Sequence, residues 1–238
     1  MKKLFKDIMF YSISFIGCIA FMLLMGRAYS NMEAYACIGN NVNMPLIVID
    51  CGHGGEDGGA SANGVMEKDI NLKIGKKLKD MFRMSGFKVK MIRDDDVSIY
   101  DDSANTVRQK KVSDLKNRIK IINEDKNAVL ISIHQNKFPE SKYSGAQIFY
   151  SKNCPESLEL AQTMRKSIVS LIQPENTREI KPADNSIFIL KNSQIPSVIV
   201  ECGFLSNPEE ASKLNTEEYQ KQMAFAIYCG FMEYKRKF

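Results

Sequence analysis

The feature that most constrains the fold is an apolar run that ends in an acidic residue and a glycine-rich turn, residues 45–55. Leu46 to Ile49 are mostly β-branched, as is typical of a strand buried on both faces. The glycines at positions 52, 54 and 55 favour a turn whose backbone angles other residues rarely adopt. The pattern therefore places His53, one of two histidines in the chain, at the carboxyl end of a central strand.

Two later apolar runs end in the same way. The run from Ala128 finishes at His134 and is followed by Gln135 and Asn136, and the run 196–201 finishes at Glu201. Because ligands bind in open α/β sheets outside the carboxyl ends of the strands, we expect His53, His134 and Glu201 to share one site.

The alternation of strand-like and helix-like segments after residue 44 predicts an α/β fold. We expect a single domain, residues 45–238, with a mostly parallel twisted sheet of about six strands and helices on both faces. With 238 residues, 44% of them hydrophobic, the chain is long enough to bury one core. Further strands are predicted at 87–92, 145–150 and 187–190.

Apolar residues three and four apart predict the helices. The first runs from Glu67 to Ser85 and stops at Gly86. The others are a helix with Val112, Leu115, Ile119 and Ile122 on its core face, one from Pro155 to Pro174 with Leu160, Met164, Ile168 and Leu171, a short one capped by Asn207, and one from Thr216. Loops are expected at 56–64, at 181–185 and at 93–110, where the acidic residues predict either a solvated loop or a segment that binds a partner or gates the site.

The N-terminus has the pattern of a targeting segment. Lys2 and Lys3 precede an apolar run, Ile8 to Met25, and Arg27 and small residues follow. At about 18 residues the run is long for a signal peptide and just long enough to span a membrane. We expect residues 1–30 to direct export, with cleavage favoured over a retained anchor, and residues 31–44 to be a tether. Membrane contact is expected only through this segment.

Charge and cysteine content exclude some classes of protein. The formal charge is +5, but four basic residues and one acidic residue lie in the first 30, which leaves about +2 on the rest and no case for nucleic-acid binding. The six cysteines are too widely spaced to indicate a disulfide framework. Cys51 and Cys202 each follow a proposed site-bearing strand. They are expected to be buried packing residues, with a bridge near the site or an auxiliary metal contact as alternatives.

Two histidines and a carboxylate form the ligand set of catalytic zinc sites that keep one position open for water. The ion lowers the pKa of bound water from about 15.7 toward about 7 and polarises a carbonyl. A separate glutamate can then take the proton of the water and pass it to the leaving amine. Spacing alone leaves the third ligand open between Glu56, in an H-x-x-E pattern with His53, and Glu67.

Five motifs in order resemble the zinc-dependent N-acetylmuramoyl-L-alanine amidases of the third amidase family, bacterial cell-wall hydrolases, over residues 45–237. They are Ile49 to Gly55, Glu67-Lys68, Ser132 to Asn136, Lys181 to Asp184 and Glu201 to Asn207. The short length makes the chain most similar to the spore-cortex, germination-specific type of this family.

The resemblance implies roles for single residues. His53, Glu67 and His134 match the ligands of one zinc ion, which favours Glu67 over Glu56, and Glu201 matches the catalytic glutamate. Asn136 would orient a ligand or the substrate. The implied reaction is hydrolysis of the amide between the lactyl group of N-acetylmuramic acid and L-alanine of the peptidoglycan stem peptide, which in the spore cortex prepares the muramic acid to become a lactam.

The chain departs from the family pattern at two positions. Cys51 stands where the family usually has proline, and since proline would stiffen the turn before His53, we expect a looser site that binds its metal more weakly. Gln135 stands where a small residue is usual, and we expect it to add an amide beside the metal and to narrow the substrate mouth.

Two alternatives remain at this point. One is another zinc hydrolase of peptidoglycan, a peptidase or a sugar deacetylase, which differs in the bond that it cuts. The other is a binding module that is inactive without help and requires an exported activating protein, bound at the acidic loop 94–102 or elsewhere.

Overall fold

Eight short strands lie in the part of the chain that the computed structural model describes, residues 44–237 together with Met22. They are β1 (Leu46–Cys51), β2 (Ser61–Ala62), β3 (Val65–Met66), β4 (Val89–Met91), β5 (Ala128–Asn136), β6 (Gln147–Tyr150), β7 (Lys181–Pro182) and β8 (Ser197–Phe204). Apart from Met22 and Met44, the predicted export segment and tether lie outside the described residues. None of the helices described is both long and apolar enough to cross a membrane.

Six of these strands form one sheet in the order β4-β1-β5-β8-β6-β7. The first four are parallel to one another. β6 runs antiparallel to β8, and β7 is parallel to β6. β2 and β3 form a separate antiparallel pair, of which β2 lies inside the segment predicted as a loop, 56–64, and β3 directly after it. The predicted mostly parallel sheet of about six strands is confirmed.

Six helices cover the two faces of the sheet. They are α1 (Glu67–Met84), α2 (Val107–Ile122), α3 (Glu156–Leu171), α4 (Phe188–Asn192), α5 (Pro208–Leu214) and α6 (Glu217–Lys235). The main core lies between one face and α1, α3 and α6. On the other face a smaller core joins Val48 and Leu130 to Ile122 of α2 and Ile189 of α4. Helices therefore lie on both faces, as predicted.

The helix α1 positions a candidate site residue, because Glu67 is its first residue and directly follows β3. Its core face is fully buried at Ile70, Ile74, Leu78 and Phe82, which are each four residues apart. Ser85 follows the last turn, and Gly86 adopts a φ of +83°, the left-handed conformation in which a helix commonly stops. Glu67 is consequently fixed as the first residue of a helix that packs tightly against the sheet.

One predicted strand is wrong. Residues 187–190 are not extended, since Phe188–Asn192 form the short helix α4, and the outer strand is Lys181–Pro182, within a predicted loop. A four-residue apolar run is too short to show the periodicity that separates a strand from one helical turn. The strand predicted at 87–92 exists but is shorter, Val89–Met91.

Two predicted core positions are exposed. Val112 on α2 is 44% exposed and Leu171, the last residue of α3, is 51% exposed. The helix α2 also begins earlier than predicted, because Thr106 and Gln109 form a reciprocal capping box at its start. Arg118 takes a buried position on this helix, and its partners lie in the site described next.

Candidate active site

The register of the sheet brings the three proposed strand ends to one edge. His134 on β5 lies directly opposite Glu201 on β8, and Cys51 at the end of β1 pairs with Ile133 on β5. His53 follows two residues after Cys51. The imidazole rings of His53 and His134 meet edge to face, with their centroids 5.1 Å apart.

The turn that carries His53 has an unusual backbone. His53 itself has a φ of +64°, in the left-handed region that non-glycine residues seldom occupy. At Gly52 a Cβ atom would lie 2.2 Å from the ring of His134, so the two histidines can approach only with glycine at this position. Strain of this kind concentrates at functional sites.

Glu67 joins the two histidines. Its Oε1 lies 2.9 Å from His134 Nδ1 and 3.2 Å from His53 Nε2, and it also accepts a hydrogen bond from the backbone N–H of Gln135 at 3.1 Å. Its Oε2 accepts from the backbone N–H of Ala60 at 2.7 Å. One carboxylate at the start of α1 is thus held by backbone donors and directed at both imidazoles.

These three side chains could hold a metal ion. Each offers one ligand atom, and the three atoms lie within 4.8 Å of one another. The donors are two imidazole nitrogens and one carboxylate oxygen, a set that suits zinc and other divalent transition metals. Glu67 is buried, whereas His53 and His134 are partly exposed and line an opening at the surface.

In the metal-free arrangement the ionised carboxylate and the histidines stabilise one another's charges. Burial opposes a charge on His53, but its contacts with Asp57 and Glu67 outweigh burial and raise the pKa of His53 to about 9. For His134 the contact with Glu67 likewise outweighs burial and raises the pKa. The pKa of Glu67 is lowered, because the two histidines outweigh the effect of its burial. A metal cation that binds to these three groups would therefore displace the protons that the two histidines carry.

Glu201 differs from the other carboxylates in the site. Its Oε2 is buried and makes no hydrogen bond within the described part of the chain. Burial raises the pKa of Glu201 to about 7, against a smaller opposing effect of His134. A carboxylate beside His134 that titrates near neutral pH is suited to accept and release a proton.

Two buried arginines, which the sequence analysis did not single out, hold the turn before and at His53. Arg118 on α2 donates to the backbone carbonyls of His53 at 2.8 Å and Cys51 at 3.2 Å, and it forms an ion pair with Asp50. Arg93 donates to the carbonyls of Cys51 at 2.7 Å and Gly52 at 3.1 Å. Both are separated from the turn by more than 35 residues, so no local sequence signal identifies them.

The acidic segment after β4 packs against this part of the site. Asp96 accepts from the backbone N–H of Gly55 at 2.8 Å and from Lys68 at 2.7 Å. Asp94 pairs with Lys79 and Asp95 with Lys76, both on α1. Ion pairs therefore hold this acidic segment against α1, and the segment also contacts the turn after His53.

The structure separates Glu56 from the histidines. Its carboxylate is exposed and pairs with Lys110 of α2 at 2.8 Å. The next residue, Asp57, takes the place beside His53, with Oδ2 3.0 Å from His53 Nδ1. The H-x-x-E spacing therefore selects Glu56, whereas its neighbour Asp57 is the residue that contacts the imidazole of His53.

Gln135 and Asn136 point in different directions. The side chain of Gln135 is buried and donates to Asn71 of α1 at 3.1 Å, so it does not narrow the substrate mouth, and that prediction is wrong. Alternation along β5 turns Asn136 to the other face, where it lines a cleft beside the site.

Cys51 and Cys202 are both free and fully buried, as expected of packing residues. Cys51 packs against α1 so closely that a Cβ atom on Gly75 would lie 2.2 Å from its Sγ. Burial raises the pKa of the Cys51 thiol to about 12, and neither cysteine belongs to the group of possible metal ligands.

Comparison with known proteins identifies the class that this fold and site define. Residues 47–232 match the model of the Amidase_3 family, N-acetylmuramoyl-L-alanine amidase, and the chain belongs to that family. It is an enzyme that cleaves peptidoglycan at the amide bond for which the family is named.

The relatives define the type within the family. The chain is 32% identical over 234 residues, 98% of its length and 96% of the relative's, to the germination-specific N-acetylmuramoyl-L-alanine amidase of Bacillus subtilis. It is 43% identical, with a TM-score of 0.79 over 82% of this chain and 100% of the other, to the CwlD amidase of Clostridioides difficile, whose structure was solved in complex with the GerS lipoprotein. The amidase AmiC2 of Nostoc punctiforme shares 30% identity and a TM-score of 0.69 over 82% of this chain and 98% of the other. The chain is a CwlD-like amidase.

Proposed function

We propose that this amidase is zinc-dependent and that it cleaves the bond between the lactyl group of N-acetylmuramic acid and L-alanine of the stem peptide in the spore cortex. The observation that carries the proposal is the convergence of His53, Glu67 and His134 on one point beside Glu201. Two imidazoles, one carboxylate and a second, free carboxylate are the parts that a zinc hydrolase needs.

The donor atoms suit a zinc ion in their spacing as well as in their chemistry. Atoms bound to a tetrahedral zinc at about 2.0–2.2 Å are about 3.3–3.6 Å apart. The carboxylate oxygen of Glu67 lies 2.9 Å from one imidazole nitrogen and 3.2 Å from the other, so small movements would open the space for an ion. Bound there, zinc would polarise the scissile carbonyl and lower the pKa of a bound water.

The residues of the chain supply orientation and proton transfer. The backbone donors at Ala60 and Gln135 fix the carboxylate of Glu67, and Asp57 lies on the far nitrogen of His53, which leaves Nε2 to face the metal position. Glu201, ionised above about pH 7, takes a proton from the attacking water and delivers it to the departing amine of L-alanine.

The names of the relatives and the pattern of the N-terminal segment support the proposed place of action. The germination-specific name of the Bacillus subtilis relative supports a role in the cortex, where removal of the stem peptide leaves a muramic acid free to form a lactam. The basic and apolar pattern of residues 1–30 supports action on the outer side of the cytoplasmic membrane. The complex of the Clostridioides difficile relative with a lipoprotein supports an exported protein partner for this chain as well.

Mass spectrometry of digested peptidoglycan tests the proposal. The full chain is incubated with cortex peptidoglycan, with zinc added or chelated, and the Glu201→Gln variant is the matched control. We expect intact stem peptides that begin with L-alanine, released only with zinc and only by the wild-type chain. Release that persists after chelation and loss of all bound metal would contradict zinc dependence, and cleavage at another bond would contradict the assignment of the substrate bond.

A further inference from the structure

A second cleft opens beside Glu201 on the face of the sheet that carries His134. It has a volume of about 210 Å³, and its lining includes Asn136, Gln147, Phe149, Phe204 and two basic residues, Arg178 and Lys181. Gln147 pairs with Glu201 across β6 and β8, and Lys181 pairs with Phe149 across β7 and β6. The cleft therefore continues outward from the reacting groups along the edge of the sheet.

The lining of this cleft contains two cations and no carboxylate, although the same Arg178 and Lys181 also border a larger opening on their outer side whose lining includes Glu175, Glu179, Glu209 and Glu210. Lys181 is exposed and has no ion pair within the described part of the chain. Arg178 donates from Nε to the backbone carbonyl of Ser144 at 2.7 Å, and its guanidinium lies over the ring of Phe204 at 4.5 Å. Among the described residues its two terminal nitrogens have no hydrogen-bond acceptor, so a held guanidinium presents a free pair of donors, the geometry that binds a carboxylate.

The opening that His53 and His134 themselves line has a different balance of charge. Three carboxylates line it, those of Asp50, Asp57 and Asp114, against the cations of Lys111 and Arg118. Its carboxylates outnumber its cations by one, and Arg118 pairs with two of them, so this opening attracts an acidic ligand less than the cleft of Arg178 and Lys181 does. The two openings therefore favour different halves of a substrate, with the acidic half in the cleft of Arg178 and Lys181.

The distances suit a short peptide. Adjacent strands are about 4.8 Å apart, so the backbone of Lys181, two strands from Glu201, is about 10 Å across the sheet from it. An extended peptide spans that distance with about three residues, at about 3.4 Å each. The exposed ring of Phe138 and the partly buried ring of Tyr143 also line the cleft and contact each other edge to face, with their centroids 5.1 Å apart.

We propose that Arg178 and Lys181 bind the free carboxylates of the stem peptide and make the enzyme selective for acidic over amidated stem peptides. The inference rests on the proposed amide hydrolysis, since it places the leaving peptide, and not the sugar, in this cleft. The guanidinium supplies the directed contact and the lysine a flexible second charge.

Steady-state kinetics of the full chain test the proposal with two disaccharide-peptides that differ only in whether the stem-peptide carboxylates are free or converted to amides. For the wild type we expect KM to be about tenfold higher for the amidated compound, with kcat unchanged, as for loss of charge-assisted hydrogen bonds at a partly exposed site. Lys181→Gln and Arg178→Gln should each raise KM for the free acid about fivefold and leave KM for the amide unchanged. Arg178→Lys, which keeps the charge, should raise KM for the free acid less than Arg178→Gln does.

Lys116→Gln is the matched control, since it removes the same charge from an exposed position on α2. It should not change either KM. Equal KM values of the wild type for both compounds would overturn the proposal. So would variants that lose equally on both, because that result would mean that the two residues only support the fold of the cleft.

A binding measurement with the released peptide tests the carboxylate site independently of catalysis. Calorimetry on full-chain Glu201→Gln should show about tenfold tighter binding of the free-acid peptide than of its amide, and the difference should disappear when Lys181→Gln and Arg178→Gln are added. If the wild type cleaves neither compound but this difference is present, amide hydrolysis fails while the carboxylate site stands. If cleavage occurs and the difference is absent, the carboxylate site fails alone.

Discussion

Arg118 donates a hydrogen bond of 2.8 Å to the backbone carbonyl of His53, across 65 positions of sequence. The same guanidinium pairs with Asp50 at the end of β1 and with Asp114 one turn earlier on its own helix. A buried side chain of α2 thus determines where the first histidine of the site can lie. Since residue 51 is a cysteine and not a proline, this contact supplies restraint that a rigid ring would otherwise give.

Arg118→Lys should weaken zinc binding about tenfold, as is typical when an outer contact of a metal site is lost. A lysine can still pair with Asp50 but cannot reach Asp114 and the carbonyl of His53 together, because it carries one compact charge and not a planar fork. Competition with a chromogenic chelator measures the affinity.

Arg108→Lys, an exposed change on the same helix, serves as the control. Wild-type zinc affinity in Arg118→Lys would show that the turn keeps its conformation without the guanidinium. It would leave the contacts of Arg93 as the main restraint on the turn.

Glu201→Gln should abolish hydrolysis and leave zinc affinity unchanged. The amide keeps the shape of the side chain but cannot take up a proton, so kcat should fall by at least about a hundredfold, the usual contribution of general acid–base catalysis. Loss of zinc together with activity would instead place Glu201 among the ligands, and full activity would remove it from the mechanism.

Zinc affinity should rise with pH up to about pH 9. In the metal-free protein the contacts with Asp57 and Glu67 outweigh burial and raise the pKa of His53 to about 9, so at lower pH the ion must displace a proton from this imidazole. One displaced proton changes the apparent affinity about tenfold per pH unit, and the raised pKa of His134 acts in the same direction.

Calorimetry in buffers of different ionisation enthalpy measures the released protons directly. Zinc binding that releases no proton at neutral pH would show that His53 is already neutral there and that its contact with Asp57 is a neutral hydrogen bond.

Gly75→Ala should destabilise the chain by about 1–3 kcal/mol, because extra volume in a packed core forces its neighbours apart. The added Cβ would lie 2.2 Å from Cys51 Sγ. Combining it with Cys51→Ala should recover most of that loss, since the two side chains compete for one space. Urea denaturation of the single and double variants gives these free energies.

Cys51→Ala alone should bind zinc as tightly as the wild type if Cys51 is a packing residue. A weaker site in that variant, with the fold retained, would indicate that the thiol contacts the metal or shapes the turn around it.

The sequence predicts the centre of the sheet well because β1, β5 and β8 each contain a run that is apolar on both faces and is followed by a polar residue, Asp50, His134 or Glu201. Parallel strands share an edge at their carboxyl ends, so the approach of His53, His134 and Glu201 follows from those three runs alone. Their roles as ligands and base stay predictions until metal binding is measured.

Other parts depend on contacts that leave no local pattern. Arg93 and Arg118 are single basic residues in segments rich in other charged residues, and only the folded chain shows that they are buried and bind backbone carbonyls. The choice of Asp57 over Glu56 beside His53 depends on the path of a glycine-rich turn, which spacing does not determine. The short helix α4 has too few residues for its period to show.

The reversed direction of β6 has a consequence for how enzymes of this architecture can diversify. Because β6 starts, and does not end, at the edge that holds Glu201, the connection between Asn136 and Gly145 stays at that edge instead of crossing to the far side. Insertions there would change which substrates reach the catalytic groups without altering the length of any strand or the packing beneath the sheet. This connection is the natural target for engineering lytic enzymes with new wall specificities on an unchanged scaffold.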